Sequence, residues 1–460
     1  MIVDVKIRTM LSRSMKLIFY FCFTVALIGC GRRSTVDLFS SSSPRERYEN
    51  SLRKATLDQT ALGQAWLRAG QQSLQDSLMI SLPFREVGYF AAERPEAVSF
   101  RYPVRVGQVV HVSLQPSSDA SVFIDVLAIT DDTTFQPVTS ADSTHHLTYE
   151  VEYDEVHVLR VQPELLQDLT YELTIEIKPL LSFPVAGKDS EAISSFFGAP
   201  RDGGQRRHKG VDIFAPKGTP VLAASDGVVG ARMSSGRGGK VVWLATERAN
   251  QYYAHLDSQT VRPAQRVQTG DTLGFVGNTG NARYTPPHLH FGVYHFGRGA
   301  LDPYPFLHRL EAETPLVQTD TSLLKRLARV RVVKANVRAS PTVQSEVVGR
   351  YDRHTLLRLQ GTSGTWFRAE LPNGQQGYVH QSLIRSIHEP IGQVTVDETD
   401  QLYTSTQDPA FLSDELPGKV VPVLASFDSL LWVETQPGLQ TWLQPSKQPN
   451  WIKSKGIEAI

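Results

Sequence analysis

Apolar positions along the chain change period several times, and each change marks a different kind of element. Tyr48, Leu52, Ala55, Leu62, Trp66 and Ala69 recur at spacings of three and four or their sums. That predicts one amphipathic helix within a helical segment 46–80, its stripe broken at Gln59. From about 81 to 180 the period drops to two. Tyr171, Leu173, Ile175 and Ile177 alternate with Glu172, Thr174 and Glu176, the pattern of a strand with one buried face. Val109–Leu114, Phe123–Leu127, Leu147–Tyr153 and Val156–Val161 read the same way, and several short strands at such spacing predict a β-sandwich. Within it, His145 and His146 beside Asp142 and Ser143 read as a solvated loop.

A second β-rich region, 181–310, is punctuated by glycine turns at Asp226-Gly227, Thr269-Gly270-Asp271 and Gly277-Asn278-Thr279-Gly280. The run 311–325, with Thr, Pro and Asp, reads as a linker. Beyond it lies an internal repeat. The first copy (326–388) holds Asn336 to Pro341, Trp366, Pro372-Asn373-Gly374 and Tyr378-Val379; it resembles bacterial SH3-like domains, which are small barrels usually attached to cell-wall enzymes. The second copy (391–460) holds Leu402-Tyr403, Trp432, Pro437-Gly438 and Trp442-Leu443 and is a degenerate version. The expected fold class is therefore mainly β and multidomain: an N-terminal helix plus β-sandwich, a central antiparallel β domain, and C-terminal SH3-like small barrels.

The amino terminus carries an apolar run, Leu17 to Gly29, of about 13 residues, enough for a signal-peptide core and short of the roughly 20 that span a bilayer. Lys16 supplies its positive flank. The run ends in Leu27-Ile28-Gly29-Cys30, which resembles the bacterial lipoprotein signal. That resemblance implies a signal peptide at 1–29, a lipidated Cys30, a tether at 31–45, and an exported protein held to a membrane by its lipid. Gly31 stands where an aspartate retains some lipoproteins in the inner membrane, so the expected address is the outer membrane facing the periplasm.

Composition narrows the chemistry. Lys+Arg and Asp+Glu number 47 each, so general electrostatic capture of nucleic acid is not expected. The two cysteines, Cys22 and Cys30, both fall in the first thirty positions, which excludes a thiolate cluster or a cysteine nucleophile in the body of the protein. Any metal site must use His, Asp or Glu. The glycines at Gly236–Gly239 fail as a phosphate loop because Val241 follows Lys240 where Ser or Thr is needed, and the Gly-x-Ser-x-Gly elbow is absent.

Four segments carry candidate chemistry: His208-Lys209-Gly210-Val211-Asp212, Tyr253-Ala254-His255-Leu256, Gly277 to Gly280, and His288-Leu289-His290-Phe291. In the last, Leu289, Phe291 and Val293 share one strand face, and His288, His290 and Tyr294 the other; His295 points away from them. His208 and Asp212 also share parity, yet a straight strand separates their Cα atoms by about 13 Å, too far for metal bonds of about 2.0–2.2 Å. The chain must bend, Gly210 is the residue able to permit it, and His208 is expected on a loop entering the strand of Asp212. A His/Asp/His set with one position left for water is the pattern of catalytic zinc, and two further histidines could move protons or stabilise an oxyanion. Parity alone leaves open whether His288 or His290 binds the metal.

The run from Phe197 to Asp302 resembles the lysostaphin-type zinc metallopeptidases, whose His-x-x-x-Asp, Tyr-x-His-Leu and His-x-His motifs occur here in order, with Gly218-Thr219-Pro220-Val221 and Asp226-Gly227. The resemblance implies that Zn2+ is the cofactor, that His208, Asp212 and His290 are its ligands, and that His255 and His288 are the catalytic pair. It also implies peptidoglycan cross-bridges as the substrate of a zinc peptidase domain at 181–310. One departure is Pro286-Pro287, where the family usually has glycine before His-x-His; this alters the loop over the cleft. The competing reading is a non-catalytic wall-binding or hydrolase-activating lipoprotein that uses the peptidase fold as a docking module.

Overall fold

The computed structural model describes residues 42–131, 134–142, 145–404, 406, 416–448 and 451–452. The signal peptide, Cys30 and nearly all of the tether lie outside the described residues, as do Ser143 and the chain beyond Ile452. Among the described residues no helix is long and apolar enough to cross a membrane.

The helical stripe forms two helices rather than one, Pro44–Lys54 and Ala61–Gln75, with a 3-10 turn at Leu57–Gln59 between them. Thr56 breaks the first by entering left-handed backbone at φ 57°. Thr60 starts the second as an N-cap, its hydroxyl accepting from Gly63 N. Periodicity still selected the right contacts: Tyr48, Leu52 and Trp66 pack on Phe123, and Trp66 Nε1 donates to the Pro163 carbonyl. Ala55 is exposed.

Leu78–Met79, the end of the expected helical segment, is instead an edge strand. It begins a sheet continued by Val98–Val104, Glu155–Pro163, Val122–Asp131 and Thr134–Ser140. The facing layer comprises Phe84–Phe90, Leu169–Pro179, Gln108–Pro116 and His146–Glu150. The alternation around Tyr171 puts Tyr171, Leu173 and Ile175 into the shared core. His146 opens a strand, pairing with Ser113, and so departs from the expected loop; His145 precedes it in left-handed backbone.

This layer does not end at the sandwich. Phe84–Phe90 pairs along its other edge with Leu356–Ser363 of the first C-terminal barrel (Val87 opposite Thr362, Gly88 opposite Gly361), giving a continuous 11-stranded sheet. Beneath the seam, fully buried Glu86 accepts from Arg368 Nη2 at 3.0 Å and Nε at 3.1 Å, and from Tyr171 Oη at 3.0 Å. The expected linker 311–325 is likewise not free. Thr314 Oγ1 donates to Glu176, Gln318 N donates to the Gly364 carbonyl, and Thr321–Lys325 is a 3-10 turn. The second repeat forms a six-stranded sheet whose Leu424, Phe427 and Trp442 enter the first barrel's core.

The central region is an antiparallel sheet in the order Ile193–Ser195, Val211–Phe214, His288–His295, Ala249–Leu256, Gly239–Ala245, Gly227–Val229, Arg266–Val267. Val211, Ile213, Leu289, Phe291 and Val293 form its buried face. On the opposite face, register sets Asp212 and Ala254 on either side of His290.

Candidate metal centre and active-site cleft

His208, Asp212 and His290 converge from two adjacent strands and the loop that enters one of them. His208 Nε2 lies 3.0 Å from Asp212 Oδ1, His290 Nδ1 lies 2.9 Å from the same oxygen, and the two ring nitrogens are 2.9 Å apart. His208 stands on the segment before Val211–Phe214, pinned by His208 N to the Ala199 carbonyl and Gly198 N to the His208 carbonyl, both 2.8 Å. Gly210 works by space rather than by φ. Its backbone is not left-handed, but a Cβ there would lie 2.4 Å from the Phe291 carbonyl oxygen and 2.8 Å from His290 Cε1.

His255 reaches the cleft by a device that parity hides. Tyr253 and His255 are two apart and should share a face, yet Tyr253 is in the core. A β-bulge sets Ala254 and His255 against the single residue Val241, between the pairs Val242–Tyr253 and Lys240–Leu256. His255 takes φ 65°, left-handed backbone that costs a non-glycine residue about 1–2 kcal/mol. The bulge turns its ring beside His288, 5.1 Å between centroids. His288 Nε2 lies 4.0 Å from Asp212 Oδ1, outside the ligand triangle, so the geometry separates the two histidines that parity could not.

Carbonyl acceptors fix the tautomers. His208 Nδ1 donates to Phe196 O, His255 Nδ1 to Thr279 O and His288 Nδ1 to Pro286 O, each at 2.9 Å. In the neutral form of each ring Nε2 is then the nitrogen that carries the lone pair. The diproline departure thus supplies the carbonyl that orients His288. Arg201 completes the centre: its Nη2 donates to Asp212 Oδ2 at 2.8 Å, leaving Oδ1 for the two imidazoles. Nothing in the sequence pattern pointed to Arg201, which reaches Asp212 through the small Pro200–Arg201 and Arg206–Arg207 hairpin.

Electrostatics set the protonation states that a metal needs. Burial pushes the Asp212 carboxyl up, but its close contacts with His208 and His290 outweigh it and hold it far below the usual range. Burial, reinforced by His288, lowers His255 to about 4, and burial lowers His290 as well. An ionised carboxylate and neutral imidazoles are the ligand forms zinc takes. Among the described residues this is the one cluster of three such groups, and its donor set fits zinc. The triangle lies in a cleft of about 630 Å³ that His255 and His288 also line. His295 is not part of it.

A cleft that places three such donors beside two further histidines on an antiparallel β scaffold can be compared with known proteins. Residues 206–303 match Peptidase family M23, and residues 333–385 match the bacterial SH3 domain, so the chain carries one domain of each kind. Among curated relatives, the peptidoglycan DD-endopeptidase ShyC of Vibrio cholerae is 40% identical over 95 residues, which is 20% of this chain and 21% of that protein. The L-Ala–D-Glu endopeptidase of Bacillus subtilis is 34% identical over 142 residues, 28% of this chain and 44% of the relative. Glycyl-glycine endopeptidase ALE-1 of Staphylococcus capitis is 41% identical over 106 residues, 22% and 29% respectively. The chain spans less than half the length of each of these relatives. Among solved structures, the catalytic domain of lysostaphin from Staphylococcus simulans is 34% identical, covering 25% of this chain and 89% of that one at a TM-score of 0.23.

Proposed function

We propose that this chain is a zinc-dependent endopeptidase that hydrolyses peptide cross-links of peptidoglycan, exported and held by a lipid on Cys30 at the outer membrane, facing the periplasm. The observation that carries the catalytic part is the triangle of His208 Nε2, Asp212 Oδ1 and His290 Nδ1, flanked by two histidines whose Nε2 atoms are left unprotonated. The three relatives described above are each named as endopeptidases, one of them a peptidoglycan DD-endopeptidase, and these names support the substrate. The SH3 domain supports attachment to the wall. The signal-like run ending at Cys30 supports the anchor, since each buried acyl methylene contributes about 0.8 kcal/mol.

Zinc, when bound, lowers the pKa of its water to about 7 and polarises the scissile carbonyl. The protein's own groups do the rest. Burial disfavours protonation of His290, and the Phe196 carbonyl holds the His208 ring with Nε2 toward the site. Arg201 holds Asp212 so that one carboxylate oxygen faces inward. His255 and His288 present Nε2 lone pairs to the cleft: each can accept the nucleophile's proton and return it to the leaving amine, and a ring so protonated becomes a donor to the oxyanion.

The test is to incubate zinc-loaded full-length protein with purified sacculi and identify released muropeptides by mass spectrometry. Release that stops with chelator and with His290→Ala is the expected result. Stoichiometric zinc with sacculus binding and no release would overturn the catalytic reading in favour of a docking module.

A further inference from the structure

The cleft is electropositive in a chain whose charges otherwise balance. Six side chains with fixed charge line it: Arg201, Arg206, Lys209, Arg237, Asp202 and Asp212. Arg201 is paired with Asp212 at 2.8 Å and Arg206 with Asp202 at 3.0 Å. Lys209 and Arg237 remain, both exposed and neither with a carboxylate within ion-pair distance among the described residues. Both line the same cleft as the triangle. Lys209 adjoins the ligand His208, while Arg237 adjoins Gly238, whose carbonyl receives the His255 backbone N–H at 2.8 Å. Arg237 is also held to the loop before the diproline by Asn281 N donating to its carbonyl at 2.9 Å. A divalent cation at the triangle adds to the same sign of potential.

We propose that Lys209 and Arg237 select peptides that carry free carboxylates near the scissile amide, so that the substrate is an acidic cross-linked peptide and not an uncharged oligoglycine bridge. This rests on the endopeptidase reading and deepens it. The physical reason is that four basic against two acidic side chains give the cleft a net positive field, and a charge-assisted hydrogen bond is stronger than a neutral one. A neutral peptide leaves both cations unpaired and gains nothing from them.

The experiment uses zinc-loaded full-length protein and three probes: a cross-linked muropeptide dimer with its diaminopimelate carboxyls free, the same dimer with them amidated, and N-acetyl-pentaglycine amide, which has no free carboxylate. Turnover is measured for each, and binding of the corresponding uncleaved product peptides is measured separately by calorimetry. The free acid is expected to exceed the amide on the order of tenfold in kcat/KM and in affinity, the worth of one hydrogen bond to a charged group. That ratio should fall with added salt and collapse toward one in Lys209→Gln/Arg237→Gln. Equal handling of acid and amide, or a double variant that keeps the discrimination, overturns the proposal. If no probe is cleaved but the acid product still binds preferentially, the carboxylate site stands and the endopeptidase reading falls.

Discussion

Gly210→Ala tests whether the ligand triangle depends on the close approach of two strands. The new Cβ would sit 2.4 Å from the Phe291 carbonyl oxygen, 2.8 Å from His290 Cε1 and 2.9 Å from its Nε2. Carbon–oxygen contacts settle at roughly 3.3–3.6 Å, so the strands must part by about 0.9 Å, and the Phe291 carbonyl is backbone, which cannot rotate away. The opposing term is small: because Gly210 is not left-handed, alanine is allowed there and stiffens the unfolded chain by about 0.4–1 kcal/mol. Overpacking of about 1–3 kcal/mol outweighs it, leaving a net loss on the order of 1 kcal/mol. The larger effect falls on the site. An ångström of misplacement can cost about a hundredfold in rate, and His290 Nδ1 is one of three donors only 2.9–3.0 Å apart. Chelator competition should therefore show weaker zinc binding in a protein that remains folded by circular dichroism. Wild-type zinc affinity in a folded Gly210→Ala variant would refute the steric account of this glycine.

Two other perturbations probe the scaffold. Glu86→Gln leaves Arg368 buried without its counter-charge, and breaking such a pair costs about 3–5 kcal/mol, so the urea midpoint should fall sharply, whereas replacing both partners by methionine should cost much less. Equal loss in the single and double variants would contradict this. His354 is held near 4 by burial and then by Arg329, below its ordinary 6.5. The unfolded chain therefore binds the extra proton first as pH falls, and stability is lost between about 6.5 and 4 at up to about 1.4 kcal/mol per unit. Urea midpoints across that range should slope downward with acid, and His354→Gln should flatten the slope.

What could be read from the sequence was what depends on period and local motif. Strand parity in His288–His295 was enough to put Leu289 and Phe291 in the core and both histidines on the other face. The bend between His208 and Asp212 followed from distance alone. The rest depends on partners far away in the chain. One helix became two because Thr56 and Thr60 break and cap it, which a stripe of apolar residues does not register. His255 reached the cleft through a bulge whose count is fixed by Val241 on the neighbouring strand. The seam between Phe84–Phe90 and Leu356–Ser363 joins residues more than two hundred positions apart in sequence, and Glu86, on the same strand face as the core residues Phe84 and Phe90, finds its counter-charge only in distant Arg368. Arg201 stood in a turn-rich stretch with no periodicity to mark it.

The cleft also bears on the choice between enzyme and docking module. A docking surface needs shape and charge, and it tolerates histidines in either tautomer. Here His208, His255 and His288 each give Nδ1 to a backbone carbonyl, which costs ordering of three separate loops around Phe196, Thr279 and Pro286. His255 additionally sits in left-handed backbone. Such strain persists only where surrounding structure over-determines it, and in the cleft it falls on the ring that lies beside His288, 5.1 Å between centroids. The proposed proton transfer would use rings held at fixed points in this way, whereas the docking alternative does not require it.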